Sequence, residues 1–403
     1  MKYAVVLGDG MADYPVEELG GKTPLEVANH PAMDYLAQNG TFGLVQTIPE
    51  GMNPGSDTAN LAVFGYDPRI YYSGRSPLEA ASLGITLNLS DVTYRCNFVT
   101  LSGSDDMEQT WMQDYSAGEI SSAEAAQLVT MLNLELGRDG VALHPGFSYR
   151  QCLVLRNADT GAQLTPPHDI SGQSVRGKLP SGTNGALLYS WMERAYAMLR
   201  NHPVNRARIA AGKNPANAIW FWGEGRKPSL TPFLEKNGLH GAVVSAVDLV
   251  QGIGKCAEMQ VLKVDGATGT YTTNFSGKAE AAIHALATDC DYVYIHLEAP
   301  DECGHHHQIP EKIFSIEQID QKVLIPVLRY LEDSGEDYTV LLMPDHPTPL
   351  SLRTHVSDPV PYVIYRRGDH AGHCCRYTEQ DAAATKNLIT EGHTLMQRMI
   401  CPT

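Results

Sequence analysis

The stretch YTVLLMPDHPTP, Tyr338 to Pro349, decides the fold. Tyr338 to Met343 is apolar or β-branched throughout and stops at a proline, which reads as a buried strand. The chain then places Asp345 and His346 side by side at the end of that strand. Two adjacent ligand-type side chains there cost stability unless they have a role. In open α/β sheets, ligands gather at the carboxyl ends of strands.

The same pattern recurs on either side. Tyr292 to Leu297 is a strand that runs into EAPDECGHHH, carrying Asp301 and His305. Tyr3 to Leu7 is a short apolar strand ending at Gly8-Asp9-Gly10. Phe42 to Ile48 reads as a strand ahead of GMNPGSDTANLAVFGYDP, in which a helix over Asp57 to Phe64 starts just after Ser56. His355 follows His346 in RTHVSDP. Further strands are predicted at 218–222, 241–244 and 362–365. Helical spacing covers 24–38, broken near Pro31, and a closing helix covers 382–399. Over 311–333, Ile313, Ile316, Ile319, Val323 and Val327 share one helical face, with a kink expected at Pro326.

Between these halves the alternation lapses. Strands at 92–101 and 149–155 mix with helices at 186–199 and from the capping box Ser121-Ser122-Ala123-Glu124 to about Leu136. The expected fold is a three-layer α/β/α sandwich on a mixed, mostly parallel sheet, built from 1–86 and 214–403. An inserted, smaller α+β domain is expected over 87–213. A chain of 403 residues is long enough for two such units.

Composition limits the function. Hydrophobic residues make up 43% and charged residues 19%, as in globular proteins, and the net charge is −16. Such a charge repels nucleic acid and anionic membranes. A small anionic substrate would need local cations or metals. The eight cysteines are scattered without a CxxC pair, so a reducing cytoplasm is expected and a disulfide framework is not. The N-terminus is too short in apolar residues for a signal peptide, and no run of about 18 apolar residues suggests a membrane span.

The oxygen and imidazole ligands Asp9, Asp301, His305, Asp345, His346 and His355 suit Mn, Zn or Mg. Two such metals about 4 Å apart can clamp the attacking and leaving oxygens of an in-line phosphoryl displacement. Ser56 fits the nucleophile, because the helix after it offers a partial positive charge to a phosphate and a metal on Oγ would lower the hydroxyl pKa. Each piece also has a plain reading. Asp9 can cap a turn, Ser56 can cap a helix, and His305-His306-His307 can be a solvated loop. Only the joint pattern points to chemistry.

GDGMADYP, PEGMNPGSDTANLAVFGYDP, YSGRSPLEAASLGI, YRCNFVT, DYSAGEIS, EAPDECGHHH and PDHPTP followed by RTHVSDPVP resemble the archaeal-type cofactor-independent phosphoglycerate mutases of the alkaline phosphatase superfamily. The resemblance covers essentially the whole chain. It implies one metal held by Asp301, His305 and His355, and another held by Asp9, Ser56, Asp345 and His346. The D-x-x-x-H spacing selects His305 over His306 and His307. Ser56 would become phosphoserine during interconversion of 3-phosphoglycerate and 2-phosphoglycerate, a step of glycolysis, with Mn²⁺ preferred and no 2,3-bisphosphoglycerate required.

Lys255 in GIGKCAEM matches a lysine expected beside the transferring phosphate. In the insert, His168 and Asp169 are candidates for the glycerate hydroxyls and for proton transfer. Arg150 and Arg226 are candidates for phosphate or carboxylate. The insert would hold the glycerate and exclude water, since water at the phosphoserine makes a phosphatase. Two departures stand out: Ser76 where glycine is expected, and Cys303 between metal ligands where a small residue is expected. Alternatives are a homoserine-kinase-like phosphotransferase, which belongs to a similar bacterial branch, and a phosphatase or phosphodiesterase. A scaffold without activity finds no support, because every expected ligand is present.

Overall fold

In the computed structural model, which describes residues 1–401, the chain forms two compact units. One comprises Met1–Tyr72 and Ser229–Thr403, the other Ser73–Pro228.

The first unit is built on an eight-stranded sheet. Its order is Gln260–Leu262, Gly241–Val244, Tyr292–Leu297, Lys2–Gly8, Tyr338–Met343, Val360–Arg366, Thr41–Val45 and Leu388–Ile389. Only Val360–Arg366 runs against its neighbours. Side chains alternate between two buried faces along each strand. Ala4, Val6, Val293, Ile295, Val340 and Leu342 pack in one core with Leu36, Ala282, Ile316 and Val327 from the helices on that side. Tyr294, on the other face, stacks against Phe64 at 4.0 Å, just past the helix Ser56–Val63. A sheet buried on both faces explains the unbroken apolar runs. Lys2–Gly8 lies between Tyr292–Leu297 and Tyr338–Met343, parallel to both. The loops after these three strands therefore emerge side by side at one edge.

The second unit has a five-stranded antiparallel sheet around Val92–Ser102, with Arg150–Leu155 and Ala218–Arg226 as its partners. The helices Ser122–Leu136 and Gly185–Leu199 cover its core. The capping box is present, with Ser121 accepting from the Glu124 N–H and Glu124 accepting from the Ser121 N–H.

Several boundaries differ from expectation. The inserted unit takes in residues 73–86 and 214–228, because Ala218–Arg226 pairs with Val92–Ser102 instead of joining the larger sheet. The long helix is interrupted by a π-turn over Ile319–Leu324, which places Pro326 in the first turn of a new helix, where its missing N–H costs nothing. The closing helix is not continuous. It splits into Glu379–Ala384, the edge strand Leu388–Ile389, and Leu395–Ile400. Lys386 at φ +57° ends the first piece, and Asn387 then bonds to the Phe42 carbonyl and the Tyr362 hydroxyl.

All eight cysteines are free. Among the described residues no helix is long and apolar enough to cross a membrane.

Candidate active site

The three neighbouring strands deliver Asp9, Asp301 and Asp345 to one edge of the sheet. The approach is tight, and it requires glycine at position 10. Gly10 has φ +61°, and a Cβ there would sit 2.7 Å from the Asp301 backbone. The connection from Tyr338–Met343 to Val360–Arg366 also passes this edge and carries His346, Thr348 and His355.

Two ligand groups form within this unit. In the first, Asp301 Oδ2 is 3.2 Å from His305 Nε2, and Oδ1 is 3.3 Å from His355 Nε2. The two imidazole nitrogens face one another at 2.9 Å. His305 Nδ1 donates to the Arg353 carbonyl, which leaves Nε2 as the ring nitrogen that faces Asp301 and His355. Hydrogen bonding to Asp301 pushes the His305 imidazole up to about 9. Burial opposes ionisation of Asp301, yet His305 and His355 hold its carboxyl well below the usual range. A cation belongs between these groups.

In the second group, His346 Nε2 is 3.0 Å from Ser56 Oγ, 3.4 Å from Asp345 Oδ2 and 3.5 Å from Asp9 Oδ1. Thr348 Oγ1 donates to Asp301, which leaves it to accept from His346 Nδ1 at 3.3 Å. His346 Nε2 is then free as a ligand. Asp9 Oδ1 is buried without a hydrogen-bond partner. Burial, and then the charges of Asp345, Asp301 and Glu298, push the Asp9 carboxyl well above its ordinary value. An orphaned oxygen among repelling carboxylates is what a divalent cation relieves, and the ligand atoms of Asp301, His346 and His355, and those of Asp9, Asp345 and His346, converge closely enough to hold metal ions.

Sequence reasoning missed the groups behind these ligands. His296 Nε2 lies 2.9 Å from Asp9 Oδ2, and its Nδ1 is 3.2 Å from Ser245 Oγ. Burial and the charge of Lys278 push His296 down to about 3, so it is neutral. Lys278 is itself buried, donates to the His296 carbonyl, and is pushed down to about 8 by burial. The signal was a charged or imidazole side chain inside an apolar run.

Lys255 is exposed. It sits in the last turn of the helix Asp248–Cys256, which links two adjacent parallel strands. Such a helix runs back from the carboxyl edge. Lys255 is therefore set back along its helix from the edge that carries Ser56, whereas Lys278 bonds to the backbone of His296, whose ring bonds to Asp9. Cys303 faces Ser315 at 4.0 Å, and burial pushes its thiol up to about 11. It is a packed side chain. His306 and His307 bond to the carbonyls of Glu302 and Leu350 and join neither ligand group.

The inserted unit holds a separate cluster. Arg75 and Arg95 each reach Glu79 at 3.0 Å. Burial opposes ionisation of Glu79, but Arg95, Arg75 and then Arg150 hold its carboxyl below the usual range. Two guanidinium groups on one carboxylate, with the charge of Arg150 nearby, leave net positive charge. The Arg95 guanidinium lies 4.0 Å over the Trp222 ring, and the His168 ring is 5.1 Å from the same indole. Burial, against the pull of Asp169, pushes His168 down. Asp169 lies 3.5 Å from His168.

Arg150 and His168 thus join one cluster. Arg226 does not, because it bonds to the Ala158 carbonyl and lies 3.5 Å from Asp159. Arg95, within YRCNFVT, went unread, although an arginine inside a buried strand demands a partner. Ser76 is fully buried and bonds to the carbonyl and hydroxyl oxygens of Thr93, so the hydroxyl in place of glycine is satisfied.

A half-buried serine, set among cation-seeking groups at the carboxyl edge of a sheet covered on both faces, is an arrangement suited to metal-assisted phosphoryl transfer. The chain is a metal-dependent enzyme. A sequence profile described as 2,3-bisphosphoglycerate-independent phosphoglycerate mutase matches residues 37–205.

A protein of that name from Methanosarcina barkeri is 50% identical over 367 residues, covering 91% of this chain and 90% of its own. One from Methanothrix thermoacetophila is 48% identical over 400 residues, covering 99% and 100%. The solved cofactor-independent phosphoglycerate mutase of Thermoplasma acidophilum superposes with a TM-score of 0.66 at 26% identity, covering 99% of this chain and 100% of its own. A solved Pyrococcus horikoshii protein gives 0.81 at 30% identity, covering 99% and 96%. The chain belongs to the 2,3-bisphosphoglycerate-independent phosphoglycerate mutase family.

Proposed function

We propose that the chain interconverts 3-phosphoglycerate and 2-phosphoglycerate, with Ser56 carrying the phosphoryl group between them. The carrying observation is Ser56 Oγ, 3.0 Å from His346 Nε2 at the start of its helix. Asp301, His305 and His355 would hold one ion; Asp9, Ser56, Asp345 and His346 would hold the other, Mn²⁺ being the preferred identity. Bound there, the ions would neutralise the carboxylates and stabilise the charge on the transferring phosphoryl oxygens.

Ser56 Oγ attacks phosphorus, the Oγ–P bond forms, the ester bond to the glycerate breaks, and the serine proton ends on the glycerate oxygen that leaves. The positive end of the Ser56–Val63 helix favours the incoming phosphate. The second half returns the group to the other glycerate hydroxyl and frees Ser56. His168, held below its ordinary range, is neutral and suited to accept that hydroxyl's proton, with Asp169 orienting it. Arg75, Arg95 and Arg150 supply the anion grip that a chain of charge −16 needs, which makes the inserted unit the proposed substrate-binding domain. The arginine cluster favours a doubly anionic substrate over a zwitterionic amino acid. The proposed compartment is the cytoplasm, which the eight unpaired cysteines support.

The test is ³¹P NMR of 3-phosphoglycerate with the Mn²⁺-loaded protein and no 2,3-bisphosphoglycerate. This readout needs no coupling enzyme whose own metal a chelator would strip. The 2-phosphoglycerate resonance should grow, and it should vanish with Ser56→Ala and after EDTA. Protein that binds two Mn²⁺ yet leaves the spectrum unchanged would overturn the mutase reading.

A further inference from the structure

Asn60 lies one turn beyond Ser56 and is fully buried. Its Nδ2 donates to the Ser56 carbonyl at 2.9 Å and to Asp345 Oδ2 at 2.8 Å. Its Oδ1 accepts from the Tyr294 hydroxyl at 2.7 Å. Both amide protons are therefore used, and the orientation of the amide is set. Turned over, Oδ1 would meet Asp345 Oδ2, acceptor against acceptor. Tyr294 is held in turn, its ring stacked on Phe64 at 4.0 Å.

Asp345 is the receiving end of this chain. Its Oδ1 already accepts from the Gly10 and His346 N–H groups, at 3.2 and 2.9 Å. Its Oδ2 accepts from Asn60 and faces His346 Nε2 at 3.4 Å. One direction at Oδ2 is thus occupied by the amide, and the remaining one points among the ligands. A single asparagine ties the carboxylate to the backbone of the nucleophile.

We propose that Asn60, aligned by Tyr294, is a positioning residue that fixes Asp345 relative to Ser56 and so sets the affinity of one metal position and not the other. The proposal rests on the ligand assignment made above. The rival is an ordinary buried asparagine that satisfies a helix carbonyl. That rival predicts lost stability with unchanged metal affinity.

The experiment is titration of chelator-stripped protein with Mn²⁺, free ion being read from its electron paramagnetic resonance signal, alongside a thermal melt. Asn60→Ala should weaken one of two Mn²⁺ equivalents by about 10- to 100-fold and leave the other within about threefold. At saturating Mn²⁺ the KM for 3-phosphoglycerate should stay at the parental value. Tyr294→Phe should weaken the same equivalent by less, because the amide remains but loses its fixed orientation.

Two parental Mn²⁺ affinities in folded Asn60→Ala would overturn the proposal, as would equal weakening of both. If Asn60→Ala does not fold, Tyr294→Phe carries the test, and parental affinity there is the refutation. Asp345→Asn separates the two levels. If that variant keeps both ions, the ligand assignment falls and the Asn60 proposal falls with it.

Discussion

Replacing Lys312 by methionine would remove one half of an ion pair from which water is wholly excluded. Lys312 Nζ lies 2.6 Å from Asp13 Oδ2 and also donates to the Thr348 carbonyl at 2.9 Å. Methionine fills similar volume, so the loss is electrostatic. Asp13 keeps the N–H groups of Tyr14 and Leu350, at 2.8 Å and 3.1–3.2 Å, but no countercharge. Breaking a buried pair at one end costs about 3–5 kcal/mol; the remaining N–H bonds point to the lower end, about 3 kcal/mol.

All four tryptophans (Trp111, Trp191, Trp220 and Trp222) lie in the inserted unit, so their fluorescence reports that unit. Guanidinium unfolding followed by far-UV circular dichroism reports the catalytic unit as well. Lys312→Met should lower the circular dichroism transition, and Asp13→Asn/Lys312→Met should recover it to within about 1.5 kcal/mol of the parent. A single-variant cost under about 1 kcal/mol, or a double variant no better than the single, would refute the reasoning.

Two further outcomes are expected. Burial pushes the Glu379 carboxyl up from 4.5 to about 7, so the native state keeps a proton that the unfolded chain releases over that range. The associated stability is complete below about pH 4.5 and lost as pH rises through 7, amounting to about 3 kcal/mol at 1.36 kcal/mol per pH unit. Glu379→Gln should therefore be more stable than the parent at pH 8 and lose that advantage by pH 4.5, as urea melts at the two pH values would read. Lys255→Ala should keep kcat and KM within about threefold, whereas Lys278→Met should lower kcat by more than about tenfold; the reverse result in the NMR assay would restore Lys255 to the site.

The three candidate carboxylates were legible because each follows a mainly apolar strand, and that pattern locates strand ends to within a residue or two. Asp9, Asp301 and Asp345 were found for this reason. Their convergence was not legible, since it depends on strand order. Lys255 shows the matching limit: a motif gives a residue its neighbours in sequence but not the direction in which its helix leaves the sheet. The closing helix failed because alanine-rich spacing outweighed Lys386 and Asn387, whose turn is set by hydrogen bonds to distant strands. Asn60 and Arg95 look ordinary in sequence. Their importance comes from partners at Asp345, Tyr294 and Glu79.

The strand Lys2–Gly8 is hydrogen-bonded on one side to residues 292–297 and on the other to 338–343. During synthesis it waits, with both edges unpaired, while most of the chain is made. The inserted unit is continuous in sequence and can close long before. Exposed strand edges and long-range pairing slow folding and invite aggregation. The larger unit thus cannot close its sheet around this strand until residue 343 has been made.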